Sequence, residues 1–297
     1  MFRRGAVALT VLFVSATLFG QTALALPPPP PQIRQAFQDR WAQLDGPVQT
    51  GAVSRTWVWG SSFTDPFYEP YHNQNTGDYY RSVSYFDKGR MEDNSWQTQQ
   101  SPWNVTSGLL VEELMTGRMQ TGTTEFEQKQ PAQLPVAGDE GSTTTPAYAA
   151  MAPLMAYLPI PNGWTIIQTV DAHGTVGADT RLANAGVTAL DVGAPTHHDV
   201  ASVFWSFMNS SGLVDDGGKL VTERLFPNPF YVTGYPITEA YWTETQVGGV
   251  TKDVLVQCFE RRCLTYTPGN PAGWQVEFGN VGQHYYFWRY GRRPWEG

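Results

Sequence analysis

The chain carries the same run of landmarks twice, and this constrains its fold more than any other feature. Trp57-Val58-Trp59-Gly60 is answered by Tyr231-Val232-Thr233-Gly234, and Glu69-Pro70-Tyr71 by Glu239-Ala240-Tyr241. Val83-Ser84-Tyr85-Phe86-Asp87-Lys88-Gly89-Arg90-Met91 is answered by Val256-Gln257-Cys258-Phe259-Glu260-Arg261-Arg262-Cys263-Leu264. Trp103-Asn104-Val105 with Gly108 is answered by Trp274-Gln275-Val276 with Gly279. Gly60 to Phe86 spans 26 positions and Gly234 to Phe259 spans 25; the following Phe-to-Trp distances are 17 and 15. Landmarks in one order at near-equal spacing indicate an internal duplication, so the expectation is two related modules.

Each module has a local reading. Ile33, Phe37 and Trp41 repeat at four-residue spacing, as do Val200, Phe204 and Met208, so each copy opens on a short helix with one apolar face. About four short strands follow. Val83 and Tyr85, or Val256 and Cys258, alternate onto one face of a half-buried strand. Asp87-Lys88-Gly89 is expected to form a three-residue hairpin loop with Gly89 left-handed, a conformation costlier for Arg262 in the second copy. The modules span residues 32–114 and 198–297, the second copy's landmarks ending near residue 290. Between them lies a central insert, 115–197. It opens on the polar Thr116–Thr124, has helical apolar density over Ala147–Leu158, and reads as strands over Trp164–Val170 and Gly186–Val192. These strands flank the turn Asp171-Ala172-His173-Gly174. At about eighty residues the insert exceeds an ordinary linker and should be packed. The fold class expected is mainly β with short helices.

Aromatic side chains make up 13% of the 297 residues, enough for a large core, so extensive disorder is excluded. A net charge of −8 with only four lysines excludes a nucleic-acid binder, which needs a basic face. Residues 1–25 read as a secretory signal. Arg3 and Arg4 precede the apolar run Ala6–Phe19, and Ala23-Leu24-Ala25 forms a small-x-small cleavage site. The run falls short of the roughly 20 residues that span a bilayer. No cysteine follows the cleavage site to carry a lipid, and no other stretch is apolar for long enough to cross a membrane. The mature chain then starts at Leu26 as a secreted or cell-surface protein with no integral membrane segment. Its residues 26–31 form a Pro-rich, polyproline II spacer.

Thr233-Gly234-Tyr235-Pro236, followed by Phe259-Glu260-Arg261-Arg262, resembles the LGFP repeat, in which a Leu-Gly-Phe-Pro turn precedes a Phe-x-x-Gly hairpin. It is also similar to secreted bacterial proteins bearing Phe-Glu-Arg hairpins after a Gly-x-Pro turn. Arg262 stands where the family has glycine, and the first copy, Trp59-Gly60-Ser61, lacks the proline. LGFP repeats belong to cell-envelope proteins, so the resemblance implies attachment rather than catalysis.

Candidates for chemistry are few. His197-His198-Asp199 precedes the second module's helix, and Asp199 is placed to cap its first turn. Adjacent histidines rarely hold one ion unaided, and no helical His-x-x-x-His or Cys-x-x-Cys pattern is present, so neither metal nor cofactor is expected. There is no Gly-x-Ser-x-Gly elbow. Glu69 and Glu239 fall in matching turns; facing one another across a pseudo-twofold axis they would suit a glycosidase, whereas in separate turns each is structural. Asp215-Asp216-Gly217-Gly218 lacks the spaced carboxylates of a calcium loop and reads as a polar turn. Cys258 and Cys263 are the only cysteines, in an exported chain. A four-residue hairpin loop pairs them directly, while a three-residue loop puts Cys258 on the other face. Trp57, Trp59, Trp242 and Trp274 are candidate sugar-stacking rings. Together these readings favour a secreted, non-catalytic binding protein of the extracellular space or cell envelope. Its ligand would be a glycan, the cell wall or another secreted protein. The alternative is a secreted hydrolase of polysaccharide or peptidoglycan using Glu69, Glu239, His198 or Asp199.

Overall fold

A computed structural model describes residues 26–95 and 102–293; the signal sequence read over 1–25 lies outside the described residues. The first long element, helix α1 (Pro31–Gln49), begins on a proline, whose missing N–H costs nothing at a helix start. Its apolar stripe buries Phe37, Leu44 and Val48, with Ile33 and Trp41 partly covered. Asp45, near its end, turns a buried carboxylate to the backbone N–H groups of Val58, Trp59 and Gly60, at 2.8, 2.7 and 2.9 Å. That grip brings the chain onto an antiparallel meander, β1 (Phe67–Pro70), β2 (Tyr80–Phe86), β3 (Gly89–Asp93) and β4 (Val105–Ser107), followed by helix α2 (Leu110–Thr116).

In the second half, after helix Ser202–Met208, a separate hairpin pairs Ser211–Asp216 with Lys219–Arg224. Strands Tyr241–Val247, Val250–Cys258, Cys263–Tyr266 and Val276–Phe278 form an antiparallel meander that leads into helix Val281–Tyr290. The central segment enlarges this sheet to six strands. Gln168–Val170 lies parallel to Tyr241–Val247, and Val176–Ala178 pairs with it on the outside, across the turn at residues 171–174. The fold is therefore mainly β with short helices. No helix among the described residues is long and apolar enough to cross a membrane.

The two meanders share a register. Val83 lies opposite Phe67 and Val256 opposite Tyr241; Tyr85 opposite Arg90 and Cys258 opposite Cys263; Met91 opposite Ser107 and Leu264 opposite Phe278. Gly60 and Gly234 are both left-handed, at φ +73° and +70°. The next N–H is held by a hairpin carboxylate in each, Ser61 by Asp87 at 2.9 Å and Tyr235 by Glu260 at 3.0 Å. The halves also exchange helix starts. The Asp87 carbonyl accepts from the N–H groups of Gly282 and Gln283, and the Glu260 carbonyl from those of Val111 and Glu112. Each helix thus satisfies part of its open first turn on the other half's hairpin. Val83 and Tyr85 accordingly share one core with Val256, Cys258 and Tyr285.

Four expectations need correction. By the shared register Phe67, not Tyr71, corresponds to Tyr241, so Glu69 corresponds to Thr243 and not to Glu239. The first hairpin turns on two residues, Asp87 and Lys88, and Gly89 is not left-handed. Glycine is required there for space, since an added Cβ would fall within the Arg262 guanidinium. The helix after residue 200 starts at Ser202, with Val200 and Ala201 in a strand, so Asp199 lies too early to cap it. Trp59 and Trp242 are buried completely and cannot stack on a ligand.

Candidate functional site

His198, Asp199 and Glu239 converge from both sides of the second half. Glu239, immediately before strand Tyr241–Val247, is buried and its Oε1 lies 3.0 Å from His198 Nδ1. The same oxygen accepts from the Asp199 N–H at 3.1 Å, and Oε2 from the Ile160 N–H at 3.1 Å. His198 Nε2 faces the Met155 carbonyl at 3.2 Å. Burial, then the Glu239 charge, push the Asp199 carboxyl up to about 6. Both Glu239 oxygens are occupied by donors from its own surroundings. Its work is to anchor the chain at residues 155–160.

Glu69 belongs to a separate cluster. Fully buried, it accepts from Tyr85 Oη at 2.6 Å, Tyr290 Oη at 2.7 Å and Arg90 Nη1 at 3.0 Å, with Arg81 and Arg289 also paired to it. Burial alone would raise its pKa; the surrounding guanidiniums win and hold it at about 2. Glu69 shares none of these partners with Glu239: the two carboxylates sit in separate hydrogen-bond networks, each filled by donors of its own. Cys258 and Cys263 lie directly opposite one another and are bonded, and inside them the Phe259 N–H closes the hairpin on the Arg262 carbonyl at 2.8 Å.

The four tryptophans divide. Trp242 donates its indole N–H to the Ile166 carbonyl at 2.9 Å inside the core, and Trp59 lies under the Arg262 guanidinium at 4.8 Å. Trp57 and Trp274 are only half-buried, Trp274 held through its indole N–H to Ser54 Oγ at 2.9 Å.

The aromatic surface that the tryptophans did not reveal lies at the open end of β1 and β2. Tyr68, Tyr71, Tyr79 and Tyr80 border a cleft of about 540 Å³, a size suited to a small organic ligand. Tyr79 and Tyr80 are 66% and 45% exposed. Tyr79 is held flat on the His72 ring, centroids 4.8 Å apart, and His72 Nδ1 is 2.6 Å from Glu125. The Arg81 guanidinium sits 4.7 Å over Tyr71 while pairing with Glu69 and Glu92. Its Nε, on a side chain only 9% exposed, finds no partner among the described residues. Asn73, Asp78 and Asp93 add polar groups to the wall. Leu26 and Pro27 border one side, so the Pro-rich segment packs at the rim. The sequence signal was the density of tyrosine over 68–80.

The chain matches no protein-family model, no curated protein and no solved structure.

Proposed function

We propose that the protein is a secreted, non-catalytic binding protein of the extracellular space or cell envelope, with a glycan held in the tyrosine cleft. One observation carries the reading: two exposed tyrosine rings, one of them braced on His72, face a cleft whose wall also holds Arg81 and acid and amide side chains. A sugar presents an apolar face to an aromatic ring and a rim of hydroxyls to polar groups, and this surface offers both. The LGFP resemblance supports envelope attachment. The shared strand registers and reciprocal helix docking support descent of the two halves from one duplicated unit.

The test is retention of the chain from Leu26 onward on insoluble glycans and cell walls. Tyr79→Ala and Tyr80→Ala should each weaken retention about tenfold, on the scale of losing one well-packed ring, with stability unchanged. Retention indifferent to both substitutions, or absent in the wild type, would overturn the assignment. The raised Asp199 carboxyl beside Glu239 favours a second reading, a hydrolase of polysaccharide or peptidoglycan, since a proton held near pH 6 suits a general acid. Product release abolished by Asp199→Asn would establish that reading in place of the first.

A further inference from the structure

Residues 141–170 contain no Asp, Glu, Lys, Arg or His, an unusual interval in a chain of net charge −8. Within it three large apolar side chains stand out from one short loop: Tyr157 is 48% exposed, Leu158 88% and Trp164 64%. The loop is fixed in place. Glu239 holds the Ile160 N–H, and His198 faces the Met155 carbonyl. Gly163 donates to the Ala189 carbonyl at 2.8 Å, and the Ala189 N–H returns a bond to the Trp164 carbonyl at 2.9 Å. The Asp191 N–H donates to Asn162 Oδ1 at 3.1 Å. Pro159 and Pro161 restrict the backbone further. The apolar side chains are thus held out by a braced turn.

We infer that Tyr157, Leu158 and Trp164 form an interfacial anchor that rests on the headgroup layer of a zwitterionic lipid bilayer. Tyrosine and tryptophan are the residues suited to that layer, each with an apolar body and a polar tip, and leucine reaches the acyl boundary beyond it. Leu158, the most exposed of the three, projects freely and can enter a deformable apolar phase without a preformed recess to receive it. The loop itself, residues 157–164, carries no Asp, Glu, Lys, Arg or His, so none of its own side chains brings an ionised group against hydrocarbon. Asp191, exposed at the foot of the loop, and the negative net charge would be repelled by anionic lipid, so the headgroups are uncharged overall. The chain would lie on the membrane without spanning it. On this account the His198–Glu239 pair positions the anchor.

The experiment is co-flotation of the chain from Leu26 onward, without the apolar 1–25 segment, with phosphatidylcholine vesicles. The wild type should float with the vesicles. Leu158→Asp should lower the bound-to-free ratio about tenfold or more, the scale of one leucine side chain's transfer from water. Trp164→Ser should lower it less, and neither should change the thermal midpoint, because neither side chain is packed. Tyr79→Ala should float as the wild type does, which separates this anchor from the glycan site. Three results would each overturn the inference: no flotation, flotation indifferent to Leu158→Asp, or self-association of the wild type that Leu158→Asp abolishes.

Discussion

The guanidinium of Arg262 fills the space that a side chain at Gly89 would occupy. These two positions correspond in register, since Gly89 lies opposite Phe86 while the Phe259 N–H is bonded to the Arg262 carbonyl. One hairpin therefore contributes the bulk and its counterpart contributes the room. Arg262 Nη1 donates to the Lys88 carbonyl, and burial pushes its pKa below the ordinary range. Gly282 closes the same junction, a Cβ there striking the backbone of Phe86 and Gly89.

Gly89→Ala is accordingly expected to destabilise the protein by about 1–3 kcal/mol, the usual cost of overpacking. Arg262→Ala alone should also destabilise, but in the double variant the new methyl has room. The two effects should then fall short of additivity by at least about 0.5 kcal/mol in a double-mutant cycle read by urea denaturation. Additive losses would mean that the two sites do not meet.

Phe86 and Phe259, at 4% and 0% exposure, lie beneath their hairpins as core residues. Phe86 also packs against Trp59, ring centroids 5.9 Å apart. Truncation of either to alanine should cost about 3–5 kcal/mol. A thermal midpoint unmoved by Phe259→Ala would show that the second hairpin is not a buried part of the fold.

The landmarks that were legible are those with a local cause. Alternating apolar residues at Val83 and Tyr85 marked a strand and Phe37 marked a buried helix face, both on nearest-neighbour chemistry. What escaped depends on contacts between distant segments. Glu239 looked equivalent to Glu69 because a three-residue string matched, yet register is fixed by cross-strand pairing, which placed Thr243 at that position. Gly89 looked like a turn glycine; its real constraint comes from a side chain 173 positions away in sequence. Trp59 and Trp242 looked like ligand rings, but large rings also fill cores, and only burial separates the two uses. The tyrosine cleft was missed for the converse reason: the Tyr68 and Tyr80 rings come to 6.4 Å between centroids only when Tyr80 pairs with Pro70 across β1 and β2.

The Cys258–Cys263 bond closes a small loop, so its effect on the unfolded chain is limited. Replacing both cysteines by serine should cost roughly 2 kcal/mol, the loop-closure value for so short a ring. Urea denaturation of the double variant against the oxidised wild type measures it, and a loss near zero would mean that the hairpin is already specified by its packing.

The last prediction concerns acid. His284 is enclosed beside Tyr148, its Nδ1 3.0 Å from the phenol oxygen, and burial pushes its pKa down to about 4. An unfolded histidine titrates near 6.5, so between about pH 6.5 and 4 the unfolded chain binds the extra proton. Stability then falls as pH falls through that window, by up to about 3 kcal/mol. Asp199 acts in the opposite sense: raised to about 6, it binds its proton more tightly when folded, so stability rises as pH falls from about 6 to 4. Glu69, held at about 2, contributes stability that is present above the ordinary glutamate range near 4.3 and is lost only on further acidification towards 2. The three groups separate by substitution. His284→Gln should flatten the decline between pH 6.5 and 4, and Asp199→Asn should steepen it. Glu69→Gln should lower stability at pH 7 by about 3–5 kcal/mol, because it leaves Arg90 and Arg289 buried without their shared carboxylate. Urea midpoints measured from pH 3 to 8 give all three curves, and a His284→Gln curve parallel to the wild type would place the acid sensitivity elsewhere in the molecule.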